Sequence, residues 1–173
     1  MPEQIALLEP CAALRSDFLR MLAEYEWAGE DYDEPLAHEN YEAYLSQLAA
    51  ESRGIHLPPG IVPMTSYWLV RDQRTLLGVS KLRHYLTPLL EHHGGHIGYL
   101  VRPSERHKGY GTLILALTLE KARLLGLRRV RITCDSANVG SVRIIEKNGG
   151  VLDAQLVSRQ SGNLISQYWI QLS

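Results

Sequence analysis

Between residues 106 and 112 the chain reads Arg-His-Lys-Gly-Tyr-Gly-Thr. These residue types at this spacing suit anion binding. A helix opening here leaves its first backbone N–H groups without intrahelical partners, and the peptide dipoles add positive potential at that end. Gly109 and Gly111 let a diphosphate approach the backbone with no Cβ in the way. Arg106 and Lys108 place two cations at the mouth. Two familiar phosphate motifs do not fit. A nucleotide P-loop requires G-x-x-x-x-G-K-[ST], which is absent. A dinucleotide fingerprint requires a third glycine where Ile114 stands, and it normally opens a βαβ unit.

Other reactive side chains are sparser. His92, His93 and His96 lie close together, but the glycines between them make a loop and no nearby Cys, Asp or helix-spaced His completes a metal site, so no metal is expected. Cys11 and Cys134 form neither a disulfide framework nor a metal spacing. They read as small buried hydrophobes.

The elements that position these residues follow from periodicity. Gln4–Glu9 reads as a strand. Cys11–Trp27 carries Leu14, Phe18, Met21, Leu22 and Tyr25 at helical spacing. Gly29–Pro35 breaks that helix, and His38–Ala50 repeats the pattern. Leu57-Pro58-Pro59-Gly60-Ile61-Val62-Pro63 is a loop, because proline removes backbone donors. Thr65–Arg71 and Leu76–Tyr85 read as a hairpin turning at Asp72-Gln73-Arg74-Thr75. His96–Arg102 is the next strand, stopped by Pro103. Lys108–Leu125 is helical and apolar nearly all round at its start, hence buried, and Gly126 ends it. Arg128–Cys134 is a strand, Asn138–Asn148 a short helix, and Val151–Ser158 with Leu164–Leu172 a closing hairpin. There is no internal repeat or linker, so residues 1–173 are expected to form one domain.

Composition narrows the class. Hydrophobic residues make up 45% of the 173, enough for a real core. No apolar run approaches the roughly 20 residues a membrane span needs. The N-terminus has no basic, apolar leader. A cytoplasmic protein with no membrane or nucleic-acid partner is therefore expected. The net charge of −1 hides an asymmetry. Residues 21–52 hold nine Asp or Glu and no Lys or Arg, which leaves +8 for the remainder. Such a division suits two ligands of opposite sign, or else a solvated acidic helix face.

Arg106-x-x-Gly109-x-Gly111 also matches the Arg/Gln-x-x-Gly-x-Gly/Ala signature of the GNAT N-acetyltransferase family. The order of elements resembles that family over essentially the whole chain, as does Asn138-Val139-Gly140-Ser141 followed by a helix and Asn148-Gly149. The runs GGHIGYLVRPSERHKGYG and ITCDSANVGS resemble an uncharacterised bacterial subgroup of acetyltransferases. The resemblance implies an α/β (α+β) fold with a central mixed, mostly antiparallel sheet of about seven strands flanked by four helices. It implies acetyl-CoA as co-substrate, without a metal. It implies direct attack by a primary amine within a ternary complex, the amine belonging to a small molecule or a peptide. The acidic segment makes a cationic acceptor the expectation. This architecture also allows a homodimer through edge strands.

Residue by residue, the resemblance implies that the backbone of Leu100 and Val101 pairs with the pantetheine arm. The N–H groups of Lys108, Gly109, Tyr110, Gly111 and Thr112 would hold the diphosphate. Asn138 and Ser141 would face pantetheine, and a strand N–H near Leu100 would stabilise the oxyanion. His96 falls near where the family often places a catalytic glutamate, and its ordinary pKa near 6.5 suits a base. One departure stands out. Many members have a tyrosine, which protonates the departing thiolate, where this chain has Ile145. Tyr99, Tyr110 and Cys134 are the substitutes at hand, unless a thiol needs no acid. The alternative readings are a non-catalytic acyl-CoA sensor of the same fold and a nucleotide-binding enzyme sharing only the glycine turn.

Overall fold

The computed structural model describes all residues, Met1–Ser173. Seven strands form: β1 (Ile5–Leu8), β2 (Met64–Arg71), β3 (Thr75–Arg83), β4 (Ile97–Val101), β5 (Arg129–Asp135), β6 (Val151–Val157) and β7 (Leu164–Gln171). Six α-helices accompany them: α1 (Arg15–Trp27), α2 (Pro35–Glu39), α3 (Tyr41–Arg53), α4 (Pro88–His92), α5 (Tyr110–Leu124) and α6 (Val139–Lys147). No helix is long and apolar enough to cross a membrane.

The strands fall into two sheets rather than one. The first has the order β1-β2-β3-β4 and the second β5-β7-β6, and every pair is antiparallel. β4 and β5 are therefore facing edges, joined only where Gly95 bridges Ile132. There the His96 N–H donates to the Arg131 carbonyl at 2.7 Å. Beyond that stitch the two strands diverge.

Two helices differ from the periodicity, for local reasons. The expected helix 38–50 is interrupted at Asn40, whose backbone is extended and whose side chain caps α3 by accepting from the Ala43 N–H at 3.0 Å. The short α4 begins at Pro88 and is capped by Thr87, which accepts from the Leu90 N–H. A Thr-Pro pair is a helix start signal that the apolar pattern alone does not reveal.

The core explains how two open sheets stay together. α1 and α3 cover one face of β2 and β3, where Phe18 stacks on Trp68 and Tyr44 with ring centroids 4.7 and 5.6 Å apart. α5 lies under the divergence and serves both sheets. Its Leu115, Leu119 and Ala122 pack with Leu82 and Ile97 of the first sheet and with Val130, Ile132 and Ile170 of the second. Each fully buried aliphatic side chain of this kind contributes roughly 1.5–3 kcal/mol. A buried polar cluster fixes the far end of β4. Asp17 of α1 accepts from the Leu76 N–H at 2.6 Å and from Arg102 at 2.9 Å, and Arg102 also donates to Glu24 at 2.7 Å.

Candidate active site

The gap between β4 and β5 opens into a pocket lined by Tyr99–Val101, by the turn from Arg106 to Thr112, and by the start of α6. Its water-accessible volume is about 570 Å³. The turn supplies its chemistry. His107 and Gly109 both have positive φ, +59° and +86°, and such alternation directs successive N–H groups into one concavity. The N–H groups of His107 through Thr112 find no acceptor within the protein. Six consecutive donors at the opening of a 15-residue helix form a strong anion cradle.

The two glycines of the turn have different physical reasons. Gly109 stands in open space, and its role is the positive φ. Gly111 is buried, and a Cβ there would come within 2.5 Å of Ile144 Cδ1. It is small so that α5 can meet α6. Asn148 secures the same contact by donating to the Thr112 and Ile144 carbonyls at 3.2 and 2.9 Å.

The cations expected at the mouth are both engaged. Arg106 lines the pocket, but its guanidinium grips Glu30 through two bonds of 2.6 and 2.8 Å, and its Nε donates to the Val101 carbonyl at 3.2 Å. Hydrogen bonding to Arg106 holds Glu30 below the usual carboxylate range. Lys108 turns away to Glu105 at 2.9 Å. The lining cation with no carboxylate partner is Arg143 of α6. No motif in the sequence marks Arg143, although it lies two residues past Ser141.

Strand register corrects the backbone assignment at Leu100. Arg102 donates to the Leu77 carbonyl and the His96 carbonyl accepts from Arg83, so alternation also turns the Leu100 backbone toward β3. Tyr99 and Val101 present their N–H groups to the open edge. The Val101 carbonyl on that edge already accepts from the Tyr25 hydroxyl at 2.7 Å.

Asn138 and Ser141 are brought to the pocket as expected, with Asn138 Oδ1 accepting from the Ser141 N–H at 3.1 Å. His96 is not. It is 7% exposed, and its Nδ1 accepts from the Arg131 N–H at 2.8 Å. Burial, aided by the Arg83 and Arg129 charges, pushes its pKa down to about 4. With Nδ1 engaged as an acceptor, the neutral ring carries its proton on Nε2 and has no free lone pair to receive another. Ile145, at the family's tyrosine position, is fully buried in the core beneath α6.

The geometry is a sheet split at its middle strands, with a helix N-terminus aimed into the split. The sequence matches the acetyltransferase (GNAT) domain family over residues 7–151, and the chain belongs to that family of N-acetyltransferases. No curated protein matches it by sequence. Among solved structures it is similar to a ribosomal alpha-N-protein acetyltransferase in complex with coenzyme A, at 17% identity and TM-score 0.70, covering 96% of this chain and 93% of that one. It is similar to spermidine N-acetyltransferase from Vibrio cholerae in complex with CoA and spermine, at 16% identity and TM-score 0.68, covering 98% and 96%. A third is an acetyltransferase from Salmonella typhimurium that modifies the N-terminal serine of a 50S ribosomal subunit protein, at 15% identity and TM-score 0.69, covering 98% and 95%.

Proposed function

We propose that this single-domain, cytoplasmic protein transfers the acetyl group of acetyl-CoA to a primary amine by direct attack in a ternary complex. The observation that carries this reading is the run of six unengaged N–H groups, His107 through Thr112, beside the open edge of β4. The turn holds the diphosphate, and Arg143 adds the charge that Arg106 and Lys108 give to Glu30 and Glu105. The pantetheine arm adds to β4 through the Tyr99 and Val101 N–H groups, with Asn138 and Ser141 facing it. Bound acetyl-CoA supplies the thioester carbonyl that the amine attacks. The Tyr99 or Val101 N–H, rather than that of Leu100, donates to the oxygen that gains charge there.

His96 is read as a pin between the sheets and not as the base, because its acceptor nitrogen already serves Arg131. The acceptor is read as cationic. Glu30, in the loop between α1 and α2, lines the pocket. Part of that charge is internally balanced, by Arg102 on Glu24, Arg106 on Glu30 and Lys81 on Glu34. Exposed Glu26, Asp31, Glu39 and Glu42 have no cationic partner. The spermidine and ribosomal N-terminal acetyltransferases among its structural neighbours supply both kinds of amine to test.

Free-thiol release across a panel of polyamines, amino acids and peptide N-termini tests the reading. Turnover restricted to cationic amines supports it, and turnover only with neutral or acidic acceptors removes the role of the acidic rim. Ile145 favours one second reading, an acyl-CoA sensor without chemistry. Tight binding of acetyl-CoA with no turnover on any amine at any pH would establish it.

A further inference from the structure

Five arginines are withdrawn from solvent: Arg71, Arg83, Arg102, Arg106 and Arg131. Four of them meet a carboxylate. Arg71 pairs with Glu105, Arg102 with Asp17, Arg106 with Glu30 and Arg131 with Asp153. Arg83 has no such partner, and burial lowers its pKa from the ordinary arginine value with no anion to offset it. Withdrawing a charge from water costs stability unless a partner compensates. One Arg83 donor is used: Nη1 donates to the Gly95 carbonyl at 2.8 Å, and a Cβ on Gly94 would come within 3.2 Å of the same nitrogen. Nε and Nη2 bond to nothing in the protein, yet neither is sealed from solvent. The guanidinium is thus held in place with most of its donors free. A planar fork of this kind fits a carboxylate through two parallel bonds.

Strand register places this fork relative to the pocket. Val79 pairs with Leu100 and Lys81 with Gly98, and the Arg83 N–H donates to the His96 carbonyl at 2.7 Å. The side chains of Val79, Lys81 and Arg83 therefore share one face of the sheet, the face that α1 and α3 cover. That face leads from Arg83 past Gly98 to Leu100, which lines the pocket. Gly98 is exposed, and a Cβ there would meet nothing within 4 Å, so the way is open. The other cation on this path, Lys81, is taken by Glu34 of the α1–α2 loop at 3.5 Å. Gly95 lies four residues before Tyr99, roughly 13 Å along β4 at about 3.3 Å per residue. With about 3 Å for the hydrogen bonds at Arg83 and about 3 Å for the attacking contact, an acceptor spanning both would hold its two groups about 7–10 Å apart.

We propose that Arg83 binds a carboxylate carried by the amine acceptor, about 7–10 Å from the nitrogen that attacks. The inference rests on the acetyl-transfer reading above and narrows its acceptor. The amine end meets the acidic α1–α2 loop, and the carboxylate end meets Arg83. Two kinds of molecule share this chemistry. One is a diamino acid such as lysine, reacting through its side-chain amine. The other is the N-terminus of a peptide of two to three residues, at about 3.5 Å per residue. A polyamine offers Arg83 nothing.

Free-thiol release from acetyl-CoA is followed with three matched pairs of amines that differ by the carboxylate: lysine and cadaverine, ornithine and putrescine, lysylalanine and its C-terminal amide. The first two pairs present a free amino acid and the third a peptide, so they also separate the two sources. In wild-type protein kcat/KM is expected to favour the carboxylate member of at least one pair by about 10–100-fold. In Arg83→Gln that preference disappears, through a raised KM with kcat little changed. Arg83→Lys, which keeps the charge and loses the fork, retains part of it. A merely structural role for Arg83 would instead slow both members of a pair alike. Absence of preference in every wild-type pair overturns the inference, as does a preference that survives Arg83→Gln. The wild-type ratios decide the matter even where a variant fails to fold. Acetyl-CoA binding without turnover on any amine would overturn the acetyl-transfer reading, and this inference with it.

Discussion

At its start β4 is stitched to β5, whereas at its end the two strands stand apart, and the polar groups of the two ends are treated differently. At the stitch they are used up. Gly95 bridges Ile132, the His96 N–H goes to Arg131, and the Arg131 N–H returns to His96 Nδ1. At the open end they are held ready. The N–H groups of residues 107–112 have no protein acceptor. The lesson is that a reactive residue type is not a reactive residue. His96 looks like a base in sequence but is sealed, whereas Arg143, two residues past Ser141, lines the pocket with no carboxylate partner.

The comparison can be broken from the closed side first. A Cβ on Gly95 would lie 2.4 Å from the Arg131 carbonyl, at a φ of +64°. Gly95→Ala is expected to lose about 3 kcal/mol or more, read by urea denaturation. Tolerance of this change would mean that the stitch is loose. His96→Asn tests the same end by pH. The folded-state pKa of about 4 lies below the ordinary histidine value of 6.5, so the unfolded chain takes up the proton first. The His96 contribution is present above pH 6.5 and is lost as pH falls toward 4, reaching at most about 3 kcal/mol. The asparagine side chain of that variant can still accept from the Arg131 N–H and does not titrate. It should flatten stability across this window while activity at neutral pH survives. A loss of activity of a hundredfold or more would restore His96 as a base.

The open side should respond in binding more than in stability. Gly109→Val forces a β-branched residue to φ +86° in otherwise open space. The expected effect is a loss of about 1–2 kcal/mol in stability and a roughly 30-fold loss in acetyl-CoA affinity, or about 2 kcal/mol. The smallest effect is at Glu30. Glu30→Gln removes a negative charge lining the pocket and releases Arg106. Affinity for acetyl-CoA should rise several-fold at low salt, and the gain should fade as salt screens it. A fall in affinity would show that the pair helps to shape the pocket.

What was legible in the sequence was mostly local. The glycine turn, the helix after it and the short helix that opens at Asn138 each depend on residues a few positions apart, and all three reach the pocket. Long-range pairing was not legible. Which of Leu100 and its neighbours faces the edge depends on register against β3, set by Leu77 and Arg83. Arg106 is taken by Glu30, which is 76 residues away. His96 is buried by a strand that arrives 35 residues later. A partial signal was present at Asp17, an acid on the apolar stripe of α1 beside Leu14 and Phe18. Such a placement points to a buried partner, which proves to be Arg102.

The central claim is that the turn at 107–112 recognises the diphosphate of acetyl-CoA. Titration calorimetry with acetyl-CoA and with acetyl-pantetheine, which keeps the thioester and lacks the diphosphate, tests it most directly. Acetyl-CoA is expected to bind in the micromolar range and acetyl-pantetheine at least about 100-fold more weakly, a difference of about 3 kcal/mol. Equal affinities for the two, or no binding of acetyl-CoA, would contradict it.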